Sequence, residues 1–148
     1  MQQNVQVLIT NKSANPLPEY ATIGSSGLDI RANLTEPLIL QPLQRVAVPT
    51  GIYVAIPQGY EIQVRPRSGL ALNQGITCLN TPGTIDSDYR GEIKVLLINL
   101  SKETQIIVNA DRIAQLVLQK VEPLQWIVTN TLHETDRGEK GFGHSGKQ

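Results

Sequence analysis

Residues 80–92 read Asn-Thr-Pro-Gly-Thr-Ile-Asp-Ser-Asp-Tyr-Arg-Gly-Glu, and the fold of the chain is organised around this stretch. It combines turn-forming residues with two carboxylates, Asp86 and Asp88, and apolar β-type runs flank it at 76–79 and 93–100. This context predicts a β-hairpin or a tight β-arch with a polar tip. Such a tip can offer backbone N–H and C=O groups to a planar ligand and place a carboxylate beside it. Taken alone, the stretch also fits a solvated turn.

The rest of the chain repeats this alternation of short apolar runs and turns, with twelve glycines and nine prolines between them. We therefore expect an all-β fold of the sandwich or barrel type. The other predicted strands are 5–10, 38–40, 45–48, 51–56, 60–64, 104–108 and 111–121.

One short helix is predicted at 69–74, with Ser68 as its N-cap and Gly75 just past its end. The apolar run 113–118 could also form a helix, but its β-branched residues favour a strand. We predict a single domain, with a β-fold core at 1–130 and a flexible, glycine-rich tail at 131–148 that closes over a site.

Composition excludes several classes of function. Lysine plus arginine (13) balances aspartate plus glutamate (13), so no global field would attract nucleic acid or an anionic membrane. Cys78 is the only cysteine, which excludes an internal disulfide and a multi-cysteine zinc site. The start of the chain has no signal-peptide pattern, and no run approaches the roughly 20 apolar residues of a membrane span. We therefore expect a cytoplasmic protein.

Two loops carry groups suited to a phosphate and its metal. Arg67 and Ser68 stand at the mouth of the short helix, where free N–H groups and a guanidinium favour an anion. The alternative is a capped turn with an arginine that faces solvent. Asp29 lies where a loop enters a strand, and this lone carboxylate could hold magnesium through water molecules or bond its own loop.

Two later segments also suggest ligand binding. Gln115 interrupts an apolar run, and its amide needs a partner that either a ligand or a backbone carbonyl can supply. In the tail, glycines around Arg137 and Phe142 let the backbone wrap an anion, so we interpret the tail as a lid over a nucleotide. The spacing G-x-x-x-x-G-K at 141–147 is not a P-loop, because no Ser or Thr and no helix follow it.

Five segments, in this order and spacing, closely resemble the motifs of the homotrimeric dUTP pyrophosphatases (dUTPases). They are Ser-Gly-Leu-Asp-Ile at 26–30, Pro-Arg-Ser-Gly-Leu-Ala at 66–71, the stretch 83–92, Asp-Arg-Ile-Ala-Gln at 111–115 and the tail 137–146. The match runs from about residue 16 to residue 146, and five collinear motifs are a specific signal. Ser26, Ile30 and His144 stand where the family more often has alanine, leucine and serine. An imidazole beside a triphosphate can take up a proton, so we expect His144 to alter the pH dependence of the closed state.

The resemblance implies a jelly-roll-like β-fold assembled as a homotrimer, with three active sites each built from all three subunits. The implied reaction splits dUTP into dUMP and pyrophosphate with Mg²⁺ on the triphosphate. This reaction keeps uracil out of DNA and supplies dUMP for thymidylate synthesis. Asp86 would be the general base that activates water for attack on the α-phosphorus, and Asp29 would hold Mg²⁺ through water.

The resemblance also assigns the residues that contact the substrate. The phosphates would be bound by Arg67, Ser68, Gly69, Gln115, Arg137 and Ser145. The uracil and deoxyribose would be bound by Asn80, Gly83, Thr84, Ile85, Tyr89 and Phe142. Tyr89 would pack on the deoxyribose where a ribose 2′-hydroxyl would clash, and Phe142 would stack on the uracil. A backbone arch against C5 would exclude the thymine methyl group, and cytosine would leave buried polar groups unpaired.

Two alternatives remain. A dCTP deaminase shares the fold but would act on the base, and the complete set of motifs argues against it. The signature of a zinc deaminase, H-x-E with P-C-x-x-C, is absent from the sequence. A non-catalytic nucleotide-binding regulatory module is the second alternative, and it would have no use for the water-activating carboxylate of Asp86.

Overall fold

The computed structural model describes residues 4–141, in which eleven short strands and one helix are formed. The helix α1 spans Ser68–Gln74. The strands are β1 Leu8–Asn11, β2 Leu28–Arg31, β3 Leu38–Leu40, β4 Arg45–Pro49, β5 Ile52–Ala55, β6 Tyr60–Arg65, β7 Ile76–Cys78, β8 Gly83–Ile85, β9 Lys94–Asn99, β10 Gln105–Ile107 and β11 Arg112–Lys120. The prediction of an all-β fold with one short helix is confirmed.

The strands form four sheets, and every pairing within them is antiparallel. The largest sheet has the order β2-β11-β6-β8, and a three-stranded sheet has the order β4-β9-β7. Two further pairs, β1-β5 and β10-β3, complete the fold. Each sheet contributes side chains to one hydrophobic core, so the architecture in residues 4–141 is a layered sandwich.

Alternation of buried and exposed residues explains why these segments are strands. In β9, Val95 and Leu97 are fully buried while Leu96 between them is exposed. This period of two is that of a sheet with one face on the core. The run 113–118, for which a helix was the alternative, is β11, and a register shift near its start allows Ile113 and Ala114 to be buried together.

The prediction that Ser68 caps the helix is wrong. Arg67 occupies the N-cap position with extended backbone (φ −98°, ψ 126°), and no side chain caps the helix there. The carbonyl of Arg67 accepts the N–H of Ala71 at 3.1 Å, so the first helical bond starts one residue earlier than predicted. The predicted end is confirmed, because Gly75 adopts the left-handed conformation with φ 65°.

The stretch 80–92 combines both predicted forms. Its flanking strands β7 and β9 pair, with Cys78 opposite Leu97, as a hairpin requires. The loop between them also contains β8, which pairs with β6 in the other sheet. Ile85 drives this crossover, because its side chain is buried in the core at 7% exposure. The polar tip therefore lies at an edge of the four-stranded sheet.

The chain beyond β11 runs over the surface, and residues 121–140 are exposed and contain no strand or helix. The apolar side chains of Leu124, Trp126, Ile127 and Val128 are 69–94% exposed. The predicted division into a core at 1–130 and a tail at 131–148 stays a prediction. Within residues 4–141, no helix has the length and apolar character needed to cross a membrane.

Candidate active site

An ion cluster lies at the β2 edge of the four-stranded sheet. Arg67 Nε donates to Asp29 Oδ1 at 2.9 Å, and an Arg112 guanidinium nitrogen lies 3.2 Å from Asp29 Oδ2. The side chains of Arg67 and Asp29 are 27% and 26% exposed. Ion pairs that reach solvent contribute little to stability, so an incoming anion can compete for either arginine.

Gln115 joins this cluster from β11, where it is the register partner of Asp29. Its Nε2 donates to the carbonyl of Pro66 at 3.0 Å, so a backbone carbonyl supplies the partner that this amide needs. Gly27 packs directly against the carboxamide, and a Cβ at that position would overlap Gln115 Oε1. Three of the resemblance motifs thus meet at one edge of the sheet.

Ser68 and Gly69, both assigned to phosphates, follow Arg67 on the first turn of α1. Both are exposed. A side chain added at Gly69 would meet no atom within 4 Å, so the space above this turn is open to a ligand.

A second group of predicted residues lines a pocket of about 250 Å³ at the β8 edge. The predicted members of its lining are Asn80, Thr84, Ile85, Asp86 and Tyr89. Gly83 is buried beside this pocket, where a Cβ would come within 3.3 Å of Val64 Cβ, so the strand crosses β6 at close range. Asp86 follows β8 and is exposed, and its carbonyl accepts the N–H of Tyr89 at 3.2 Å in a tight turn.

Glu92 was not predicted to be a site residue, although it lines the same pocket. Its carboxylate accepts the backbone N–H groups of Gly51 at 2.9 Å and Thr50 at 3.2 Å. Its carbonyl accepts the hydroxyl of Tyr89 at 3.0 Å. The sequence signal for this role is weak: an acidic residue after Gly91, at the entrance to an apolar strand.

The two groups of residues lie at opposite edges of one sheet. Asp29 is on the edge strand β2, and Asp86 follows the edge strand β8. Three strand spacings of about 4.8 Å separate these edges. Along the strand direction, the pairing places Asp29 level with Arg65 of β6 and places Asp86 level with Glu61. These two positions on β6 are four residues apart, which adds a displacement of about 13 Å along the strand. The two carboxyl-bearing residues are therefore roughly 20 Å apart in one chain.

The predicted tail residues fall in part outside the described region. Arg137 is exposed, and its Nε donates to the carbonyl of Lys140 at 2.8 Å in a local turn. Phe142, His144 and Ser145 lie outside residues 4–141, and their predicted roles stay predictions. The structure thus brings the other predicted residues together in two groups, and among residues 4–141 no hydrogen bond or ion pair joins the side chain of Arg137 to either group.

The donor set of the described residues limits the kind of metal they could hold. Residues 4–141 contain no group of three or more histidine, cysteine, aspartate or glutamate side chains with metal-binding geometry. Asp29 alone fits a magnesium ion that keeps most of its waters and takes its other ligands from substrate phosphates. Cys78 is unsuited to covalent chemistry, because burial raises the pKa of its thiol to about 11.

Comparison with known proteins identifies the family. The family model for dUTPase matches residues 2–146. A relative from Finegoldia magna, named deoxyuridine 5'-triphosphate nucleotidohydrolase, is 56% identical over 142 residues, which cover 96% of this chain and 99% of the relative.

Solved structures share the fold. A mutant of the Staphylococcus bacteriophage 80alpha dUTPase with dUpNHpp superposes with a TM-score of 0.82 at 24% identity and covers 95% of this chain and 98% of its own. A mutant dUTPase from phage phi11 of S. aureus, described with a structural Mg(II) ion, has a TM-score of 0.76 at 20% identity and covers 87% of this chain and 99% of its own. The fold, the five collinear motifs and the matching family model together show that this chain belongs to the dUTPase family.

Proposed function

We propose that this chain hydrolyses dUTP to dUMP and pyrophosphate, in sites that combine the β8 edge of one copy with the β2 edge of another. The observation that carries the proposal is the pocket in which the exposed carboxylate of Asp86 stands beside Asn80, Thr84 and Tyr89. The relative from Finegoldia magna is named for the same hydrolysis, and the bacteriophage enzyme was solved with a dUTP analogue.

Uracil recognition would use the free edge of β8. Among residues 4–141, this strand pairs with β6 alone, so within that region its other side offers backbone N–H and C=O groups to a ligand. A planar pyrimidine can pair with such an edge as an added strand would. Asn80 would add side-chain hydrogen bonds, while Gly83, Thr84 and Ile85 would form the arch against C5. A cytosine would then leave buried polar groups unpaired, and a thymine methyl would clash.

Asp86 would act as general base. Its carboxylate is solvent-exposed at the end of β8, so a water molecule can reach it without any opening of the core. Taking a proton from that water during attack on the α-phosphorus is worth typically 10²–10⁴-fold in rate. Tyr89, three residues later in the same turn, would pack on the deoxyribose and exclude a ribose 2′-hydroxyl.

The triphosphate would be held by the β2 edge of a neighbouring copy. Arg67, Ser68, Gly69 and Gln115 would bind phosphate oxygens, and Arg137 and Ser145 would join from the closing tail, where Phe142 would stack on the uracil. A triphosphate that binds Arg67 competes with Asp29 for the guanidinium. This competition would free Asp29 Oδ1 to hold magnesium through water, while Oδ2 stays beside Arg112. Bound magnesium would supply neutralisation of the phosphate charge.

The spacing of the two groups supports sites that are shared between copies, and the homotrimer is the assembly that the family resemblance implies. A general base and a metal-binding carboxylate that serve one triphosphate cannot be roughly 20 Å apart in the same chain with a sheet between them. Exposed apolar side chains also support an assembly of several copies. In the segment after β11, the side chains of Trp126, Ile127 and Val128 are 83–94% exposed in the single chain. Several large apolar side chains exposed in succession are typical of a segment that packs against another subunit.

The direct test is incubation with dUTP or dCTP and Mg²⁺, with separate assays for pyrophosphate and for ammonia. We expect pyrophosphate from dUTP, much less from dCTP, and ammonia from neither. Ammonia release would instead indicate a deaminase, and no product from either nucleotide would indicate a binding module. Light scattering on the same sample tests the assembly, since a monomer mass would contradict the shared sites.

A further inference from the structure

We propose that Glu92 is a positioning residue that fixes the ring of Tyr89, and through it the discrimination between deoxyribose and ribose. The inference rests on the proposed function, because it concerns which triphosphates the dUTP site accepts. It assigns a role to a residue outside the set of substrate contacts derived above.

The carboxylate of Glu92 fastens the end of the polar loop to a different part of the fold. One oxygen, Oε1, accepts two backbone N–H groups, those of Gly51 at 2.9 Å and Thr50 at 3.2 Å, in the turn between β4 and β5. The turn is itself rigid, because Thr50 is 1% exposed and its hydroxyl donates to the carbonyl of Ile93 at 2.6 Å. Two charge-assisted bonds to a buried turn make a strong anchor.

The anchor reaches Tyr89 through the backbone of Glu92. The hydroxyl of Tyr89 donates to the carbonyl of Glu92 at 3.0 Å. Gly91 lies against the ring, and a Cβ there would overlap the Tyr89 hydroxyl, so the ring rests on bare backbone. The ring position is thus set by residues 91 and 92, whose own position is set by the Glu92 carboxylate.

Such an anchor matters because Tyr89 is otherwise poorly held. The residue is 45% exposed, so core packing does not fix its side chain. Among the described residues, its hydroxyl has one hydrogen-bond partner, the Glu92 carbonyl. Steric rejection of a single hydroxyl group depends on ring placement within about 1 Å. Loss of the anchor would therefore admit UTP more than it would impair dUTP.

The experiment measures kcat/KM for dUTP and for UTP in wild type, Glu92→Ala, Glu92→Gln and Tyr89→Phe. We expect Glu92→Ala to raise the UTP/dUTP ratio of kcat/KM by on the order of tenfold, because both charge-assisted bonds of the carboxylate are lost and the Tyr89 ring is held less firmly. Glu92→Gln keeps an acceptor oxygen and should restore most of the discrimination. Tyr89→Phe removes the hydroxyl that donates to the Glu92 carbonyl, so it should raise the UTP/dUTP ratio of kcat/KM by a similar factor.

Control variants distinguish a positioning role of Glu92 from a general loss of stability and from failure of the proposed dUTP hydrolysis. Glu36→Ala removes an exposed carboxylate in the loop between β2 and β3 and should leave the ratio unchanged. The double variant Tyr89→Phe/Glu92→Ala should change the ratio no more than the larger single change, because both act on one contact. An unchanged ratio in folded Glu92→Ala overturns the inference. If that variant does not fold, an unchanged ratio in Tyr89→Phe overturns it. A wild type that does not hydrolyse dUTP instead overturns the proposed function.

Discussion

The two edges of the four-stranded sheet are built in opposite ways. At the β2 edge, side chains from three segments hold one another through ion pairs on Asp29 and the hydrogen bond of Gln115. At the β8 edge, the backbone would itself form the proposed base-binding surface, and the carboxylate of Glu92 ties the loop to a turn that is distant in sequence. The first edge suits a flexible, highly charged triphosphate, and the second suits a rigid planar base.

The largest expected effect is at the β8 edge. Asp86→Asn should leave binding of dUTP nearly intact and lower kcat by at least about 10²-fold, because the amide cannot accept the proton of the attacking water. Steady-state kinetics and a binding titration with a slow analogue measure the two effects separately. Asp88→Asn is the matched control, an exposed carboxylate two residues away that should alter kcat little. Near-normal turnover in Asp86→Asn would remove this residue from the base role.

Deletion of residues 135–148 tests whether both edges need the tail. We expect a folded trimer with little activity, because closure excludes water and strengthens the electrostatic contacts with the triphosphate. Circular dichroism and light scattering report the fold and the assembly, and pyrophosphate release reports turnover. Normal hydrolysis by the shortened chain would mean that the tail is not a lid.

A smaller effect is expected from Gly27→Ala at the β2 edge. The new Cβ would overlap the end of the Gln115 side chain, which can rotate away, so stability should change little while phosphate binding weakens. We expect KM for dUTP to rise about tenfold, on the order of one lost charge-assisted hydrogen bond. Gly24→Ala is the matched control, since nothing lies within 4 Å of its added Cβ. Equal KM values for dUTP in Gly27→Ala and Gly24→Ala would show that Gln115 does not bind the substrate.

The comparison of the edges also shows what the sequence could predict. Period-two alternation located most strands, and the chemistry of Asp86 and Arg67 was visible as polar residues in turns beside apolar runs. The partner of β8 was not predictable, because both neighbours of the loop are strands and only burial of Ile85 decides that it crosses to β6. A period-two pattern predicts which face of a strand is buried, but it does not say which strand lies beside it.

Contacts between distant segments explain the remaining differences. Ser68 is a good N-cap by type, but the helix starts one residue earlier, beside Arg67, whose side chain is drawn to Asp29. The role of Glu92 depends on a turn more than forty residues away in sequence. The second partner of Asp29, Arg112, was equally invisible, because no sequence signal sets the register between β2 and β11.

In the proposed assembly, each site takes its general base, Asp86, from one copy and its phosphate-binding residues, including Arg67, from another. Asp86→Asn and Arg67→Ala trimers, each nearly inactive alone, should be dissociated, mixed in equal amounts and reassembled. If the two halves come from different copies, random mixing makes about one site in four intact (½ × ½), so about a quarter of wild-type activity should return. If both halves belonged to the same chain, every site would carry one defect, and an inactive mixture whose exchange is verified by mass would contradict the account.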